Sequence, residues 1–196
     1  MQLPGWLNEL DTQALLAING AHDPVLDFIF YWAAYKFTWI PFYIWLLYVL
    51  YRNYGKQTWK FLPVIAAMIA MSDQLSTLLK NTTERFRPCH EPAIQQFVHL
   101  VNGECGGSYG FVSSHAANST ALALFIIMML PKGYKVMRIE LVAFVLINIY
   151  SRIYLGAHYP LDVLFGAFLG FVIGLVASTF MRNLVTIPQQ VAAGHE

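Results

Sequence analysis

Apolar residues run through this chain in long blocks separated by short polar patches. Five blocks, at 38–51, 58–79, 116–130, 139–154 and 161–181, are apolar enough, with their helical flanks, to cross a membrane. A hydrocarbon core of about 30 Å needs about 20 helical residues. Ahead of them, residues 6–19 mix polar and apolar positions at helical spacing, and residues 24–35 are apolar but only 12 long. The pattern predicts an interfacial helix followed by a short sixth span. The expected fold class is therefore all-α, a polytopic transmembrane helical bundle of about six spans. Breaks are marked at 52–55, at 131–133 and at 158–160, where Pro160 is placed to start a helix. In the last span Gly166, Gly170 and Gly174 recur every fourth residue, a small-residue stripe read as helix packing. No linker, repeat or low-complexity segment divides the chain. One domain over 1–196 is expected, with 1–37 forming the interfacial and short apolar helices and 38–196 the core spans around a long polar loop, 81–113.

Composition agrees with the pattern: 57% of residues are hydrophobic and 12% charged, with mean hydropathy +0.50, against roughly 25% charged in an ordinary soluble domain. The net charge of +1 leaves no basic surface for a nucleic-acid backbone, so no nucleic-acid partner is expected. The first residues carry no Lys or Arg ahead of an apolar stretch, so no cleavable secretory signal is expected and the chain is read as mature.

The charges sort by face. Arg52, Lys56 and Lys60, then Lys132, Lys135 and Arg138, and finally Arg182 fall on one side of the alternating spans, which the positive-inside rule makes cytoplasmic. The long loop and the segment 156–160 fall on the other, expected to face the periplasm or the cell exterior. Both cysteines, Cys89 and Cys105, lie there, where an oxidising compartment allows a disulfide between them.

On that outer side three polar clusters stand at helix ends: Lys80 with Arg87, then Ser113, Ser114 and His115, then Arg152 with His158 and Asp162. Ionisable groups at such depth are costly unless they line a wet cavity or a site. Three cations, two imidazoles and a carboxylate are an inventory for phosphoryl transfer. Lys80, Arg87 and Arg152 suit the negative charge spread over a transferring phosphoryl group. Ser113 and Ser114 precede a helix whose first N–H groups form an anion seat. Asp162, one turn beyond His158, fixes the tautomer of a neutral imidazole nucleophile, and His115 is left as general acid. Taken singly, each cluster has a plainer reading: basic residues snorkelling to headgroups, a helix cap, a structural His–Asp pair. All three sharing one face favours the site.

At these residues the chain resembles the type 2 phosphatidic acid phosphatase superfamily, whose signatures are K-x6-R-P, P-S-G-H and S-R-x5-H-x3-D. The first is met in full by Lys80 to Pro88 and the third by Ser151 to Asp162; the second is met in part by Val112, Ser113, Ser114 and His115. The resemblance implies a six-span bundle and hydrolysis without metal or other cofactor. It gives His158 as nucleophile, Asp162 as its partner, His115 as general acid, and Lys80, Arg87, Ser113, Ser114 and Arg152 as the phosphate-binding set. Serine at 114, where the family has glycine, either keeps the backbone contact with phosphate or crowds it.

Asp73, two turns before Lys80, either tunes that lysine or, as preferred, pairs with another helix. His90, Glu91 and Glu104 border the site, while His22, His99 and His195 show no constellation and no metal site is expected. The function expected is hydrolysis of a lipid phosphate or pyrophosphate: undecaprenyl pyrophosphate, phosphatidylglycerophosphate, phosphatidic acid or a lipid A phosphate. The expected place is the periplasmic face of a bacterial inner membrane, with the lipid and the membrane as partners and no obligate protein partner evident. Alternatives are a phosphatase of soluble esters, a lipid phosphotransferase, or an anionic-lipid transporter or binding protein. The two histidines with Asp162 argue against mere binding. The motifs are shared with vanadium haloperoxidases, but those are soluble, and the apolar spans argue against that reading.

Overall fold

The structure is a computed structural model and describes residues 4–186. Seven α-helices are found among them: α1 Gly5–Gly20, α2 Pro24–Ala34, α3 Ile40–Tyr54, α4 Phe61–Thr83, α5 Ser114–Met129, α6 Lys135–Tyr154 and α7 Pro160–Leu184. No strand occurs among the described residues, and one isolated bridge, Phe86 to Tyr109, pins the base of the long loop. Local chemistry sets the starts. Asp23 accepts from the N–H groups of Val25 and Leu26, with Pro24 opening α2, and Pro160 opens α7. Glu84, in the left-handed region at φ 50°, ends α4 and turns the chain into the loop.

Helices α3 to α7 alternate in direction. One end of the bundle gathers the close of α3, the start of α4, the close of α5, the start of α6 and the close of α7. Tyr54 donates to the Met129 carbonyl at 2.6 Å, Asn53 to Tyr134 at 2.9 Å and Lys60 to the Leu184 carbonyl at 2.8 Å. Arg138 and Arg182 cap the carbonyls of Leu130 and Met128 there. The basic residues thus share one end, opposite the long loop.

At the other end lie α1 and α2. Asn19 of α1 donates to the Tyr154 carbonyl at 2.7 Å, Asp11 accepts from Leu161 N at 2.9 Å, and Asp27 of α2 accepts from the Tyr154 hydroxyl at 2.7 Å. Helix α1 therefore lies across this end rather than through the bundle. Helix α2, the sixth span expected from the sequence, has 11 residues, about 16 Å of rise, short of a core about 30 Å thick. Two helical stretches, Lys36–Thr83 and Pro160–Leu184, are long and apolar enough to cross a membrane. The outward faces are apolar too: Leu164, Phe168, Phe171 and Val176 of α7 are exposed, as suits lipid rather than water.

The core forms where α5 is enclosed by α3, α4, α6 and α7, around Leu50, Phe61, Met68, Phe125, Leu141 and Met181. The glycine stripe sets the closest contact. A Cβ on Gly166, Gly170 or Gly174 would lie 2.5, 2.1 or 2.7 Å from the carbonyl oxygens of Ser113, Ala117 and Ala121. Only hydrogen at these positions lets α7 lie against the α5 backbone, and the stripe is packing, as expected. The contact also brings two helix starts together, with Ser113 N donating to the Asp162 carbonyl at 3.0 Å.

Candidate active site

Three helix ends and the segment 156–159 surround a cavity of about 370 Å³. Lys80, Arg87, Ser114, His115, Arg152 and His158 line it, together with Tyr31, Tyr35 and Glu104. Six of the eight residues expected to bind phosphate or react thus share one wall. Lys80 donates to Ser114 Oγ at 2.5 Å, joining α4 to the first residue of α5. Arg87 Nη1 donates to the Ala157 carbonyl at 3.0 Å, and its Nε is buried without a protein partner, as is Nε of Arg152. These donors can serve an anion.

His158 is 1% exposed. Burial, then the positive charges of Arg87, Arg152 and Lys80, hold its pKa well below the ordinary histidine value. The ring is therefore neutral near pH 7. Its tautomer follows from its neighbours. Arg87 Nη1 lies 3.0 Å from Nε2, and since arginine can only donate, Nε2 carries the lone pair and Nδ1 the proton. Nδ1 faces Asp162 Oδ2 at 3.5 Å. That carboxylate is held from two more sides, by Tyr159 N on Oδ2 at 3.1 Å and by Arg85 Nη1 on Oδ1 at 2.6 Å. The Nε2 lone pair thus faces Arg87 at the cavity wall, with the carboxylate on the other side of the ring.

Two of the expected residues stand behind the wall. Asp162 does so as the partner of His158. Ser113 is fully buried, and its Oγ accepts from Ala116 N at 3.5 Å, so it caps α5 instead of facing the cavity. Sequence reasoning missed several contributors. Arg85, one of the variable positions between Lys80 and Arg87, is buried and joins Asp162 to Asp11 of α1, 2.6 Å to each. Gly110 lets the loop pass His158 and Asp162, since a Cβ there would lie 2.9 Å from Asp162 Oδ2 and 3.5 Å from His158 Nδ1. Tyr31 of α2 and Tyr35 just after it come from a stretch that carries no motif.

Asp73 accepts from Asn118 of α5 at 2.8 Å, the interhelical pairing preferred from the sequence. Of the three border residues only Glu104 reaches the cavity. His90 lies 3.1 Å from the Gly106 carbonyl, and Glu91 lines a separate cleft with Arg85 and Tyr159. Cys89 and Cys105 are joined, with Cα atoms 6.4 Å apart, inside the loop that roofs the cavity.

His22 and His99 correct the expectation that they show no constellation. Their rings stack at 3.7 Å, and His99 Nε2 lies 2.9 Å from Asp27 Oδ2. The three come close enough to raise the question of a metal. The rings are parallel within 9°, so no single point lies in both ring planes, where the lone pairs aim. The group reads as a clasp tying the long loop to α2. His195 lies outside the described residues.

An apolar groove of about 600 Å³ descends from this site between α3, α4, α5 and α6, lined by Leu46, Leu50, Ile65, Ile69, Leu122 and Phe144. It shares Ala34, Ser114 and His115 with the cationic cavity.

Comparison with known proteins agrees with this arrangement. The sequence profile of the PAP2 superfamily matches residues 61–185, which hold every polar cluster of the site. The chain belongs to the PAP2 superfamily. It is a membrane phosphatase of that superfamily, acting on lipid phosphate. Two relatives are lipid A 4'-phosphatases. That of Bacteroides thetaiotaomicron is 40% identical over 171 residues, covering 84% of this chain and 74% of the relative. That of Porphyromonas gingivalis is 35% identical over 173 residues, covering 86% and 72%. Among solved structures, the transmembrane PAP2-type phosphatidylglycerolphosphate phosphatase of Bacillus subtilis superposes with TM-score 0.71 at 21% identity, over 92% of this chain and 89% of that one. Aquifex aeolicus LpxE superposes with TM-score 0.66 at 24% identity, over 87% and 95%. At these identities the structures speak for the PAP2 fold.

Proposed function

We propose that this protein removes a phosphate from a lipid A-type glycolipid through a phosphohistidine on His158, at the periplasmic face of a bacterial inner membrane. One observation carries the lipid reading: a cationic cavity sized for a phosphate and its sugar opens, at Ser114 and His115, into an apolar groove sized for acyl chain. The relatives named lipid A 4'-phosphatase favour a phosphorylated glycolipid among lipid phosphates.

Lys80, Arg87, Ser114 and Arg152, with the free N–H groups at the start of α5, hold the three non-bridging oxygens. Phosphate draws Arg87 off Nε2, freeing the lone pair. Nε2 attacks phosphorus, the P–O bond to the lipid breaks, and His115 protonates the leaving oxygen. The growing charge on the imidazole is matched by Asp162 through Nδ1–H. Water, losing a proton to His115, then attacks phosphorus and the P–Nε2 bond breaks, which releases inorganic phosphate and neutral His158. The cations offset the phosphoryl charge, so the step asks for no metal.

Five crossings by α3 to α7, with α1 and α2 on the outer side, make the protein one domain whose basic end faces the cytoplasm and whose site faces the periplasm. The test is phosphate release by detergent-purified protein, with EDTA present, from lipid A, phosphatidic acid, phosphatidylglycerophosphate and undecaprenyl pyrophosphate. Chelator-resistant turnover fastest on lipid A is expected. Preference for another of these lipids overturns the glycolipid assignment, and turnover abolished by EDTA overturns the mechanism.

A further inference from the structure

We propose that Asp11, on the helix lying across the outer end of the bundle, is a positioning residue for the hydrolysis: it holds Arg85 and the start of α7 so that Asp162 keeps one oxygen for His158. The inference rests on the roles of His158 and Asp162 given above.

Arg85 is shared. Nη2 donates to Asp11 Oδ2 and Nη1 to Asp162 Oδ1, 2.6 Å each, while the guanidinium lies over the Tyr159 ring, 4.1 Å from its centroid. The second oxygen of Asp11 accepts from Leu161 N at 2.9 Å, one of the free N–H groups at the start of α7. Asp11 therefore anchors both the cation that grips Asp162 and the helix turn on which Asp162 stands. All three charged groups are buried, with exposures of 4% for Asp11, 9% for Arg85 and 0% for Asp162. A buried ion triad contributes little stability beyond that of apolar residues of the same volume. Its place against the reacting pair points to geometry as its use.

With Asp11 present, Arg85 reaches Asp162 through one arm, and Oδ2 is left to Tyr159 N and His158 Nδ1. Without it, the guanidinium is free to turn both arms on Asp162 in the fork geometry arginine favours. Oδ2 is then drawn from Nδ1 just as the imidazole gains positive charge. Lys80, Arg87 and Arg152, which hold the phosphate, keep their places. The loss falls on kcat and spares KM.

The experiment measures kcat, KM and melting temperature on a lipid phosphate for the full chain in detergent, as wild type, Asp11→Asn, Asp11→Glu, Leu15→Ala and His158→Ala. Leu15 is wholly buried on the same helix against Ile153, Tyr159 and Val163, so its truncation loosens α1 without touching the charges. Asp11→Asn is expected to lower kcat about tenfold or more with KM within about twofold. Asp11→Glu retains more turnover than Asn, and Leu15→Ala loses melting temperature with a smaller loss of kcat. Wild-type kcat in Asp11→Asn, or a loss no larger than that of Leu15→Ala, overturns the proposal. If Asp11→Asn does not fold, Arg85→Lys, with one arm in place of two, takes its part, and an unchanged kcat there overturns the proposal equally. Turnover retained by His158→Ala would overturn the nucleophile assignment instead, which separates that failure from this one.

Discussion

Replacing Gly110 with alanine should slow the chemical step. The new Cβ would lie 2.9 Å from Asp162 Oδ2, where ordinary contact begins at 3.4 Å, and 3.2 Å from Arg87 Cγ. Something must move by about 0.5 Å. Asp162 has little freedom to do so, being fully buried and gripped by Arg85 and Tyr159 N. The strain therefore passes to the contact between Nδ1 of His158 and Oδ2, already 3.5 Å, or to the Arg87 stem. A misplacement of about 1 Å can cost about a hundredfold in rate, so half that displacement corresponds to about tenfold, or about 1.4 kcal/mol in the barrier. The control is Gly107→Ala in the same loop, where a Cβ meets nothing within 4 Å. Steady-state phosphate release, with melting temperature checked, should show kcat falling about tenfold in Gly110→Ala and unchanged in Gly107→Ala. Equal activity of the two folded variants would refute the reasoning.

Gly170→Ala places a Cβ 2.1 Å from the Ala117 carbonyl and must push α7 off α5; a melting temperature several degrees lower is expected, and one within roughly 1 °C of wild type would contradict it. Because burial and three nearby cations lower the pKa of His158, the acidic limb of kcat/KM should lie below pH 6.5, the ordinary histidine value. A limb at or above 6.5 would contradict it. The same shift bears on stability: below about pH 6.5 the unfolded chain binds a proton that folded His158 refuses, so stability contributed above that pH is lost as pH falls, which melting curves across pH 5 to 8 would register.

The sequence displayed those parts of the site whose partners are near in the chain. His158 and Asp162 are one turn apart, and Lys80, His115 and Arg152 stand at ends of apolar runs, so motif and membrane pattern together placed them on one face. Parts built from distant segments were hidden. Asp11 looks like one polar position on an amphipathic helix, and its tie to Leu161 joins residues 150 apart in the chain. Gly110 reads as one loop glycine among several until the loop is seen to cross Asp162. Ser113 was assigned to phosphate because a hydroxyl before a helix can cap the helix or bind an anion, and packing against α7 turned it to the cap. The short α2 looked like a sixth span by hydropathy, and its 11 residues rise about 16 Å, about half of a hydrocarbon core.

The central claim, covalent catalysis by His158, is tested most directly by trapping the intermediate. Wild-type protein is mixed with lipid phosphate, quenched within one turnover into alkali, which preserves a phosphorus–nitrogen bond, and its peptides are weighed. The account predicts one phosphoryl group on the peptide bearing His158, absent in His158→Ala along with turnover. Phosphate release with no adduct, or an adduct on His115 that persists in His158→Ala, would contradict it.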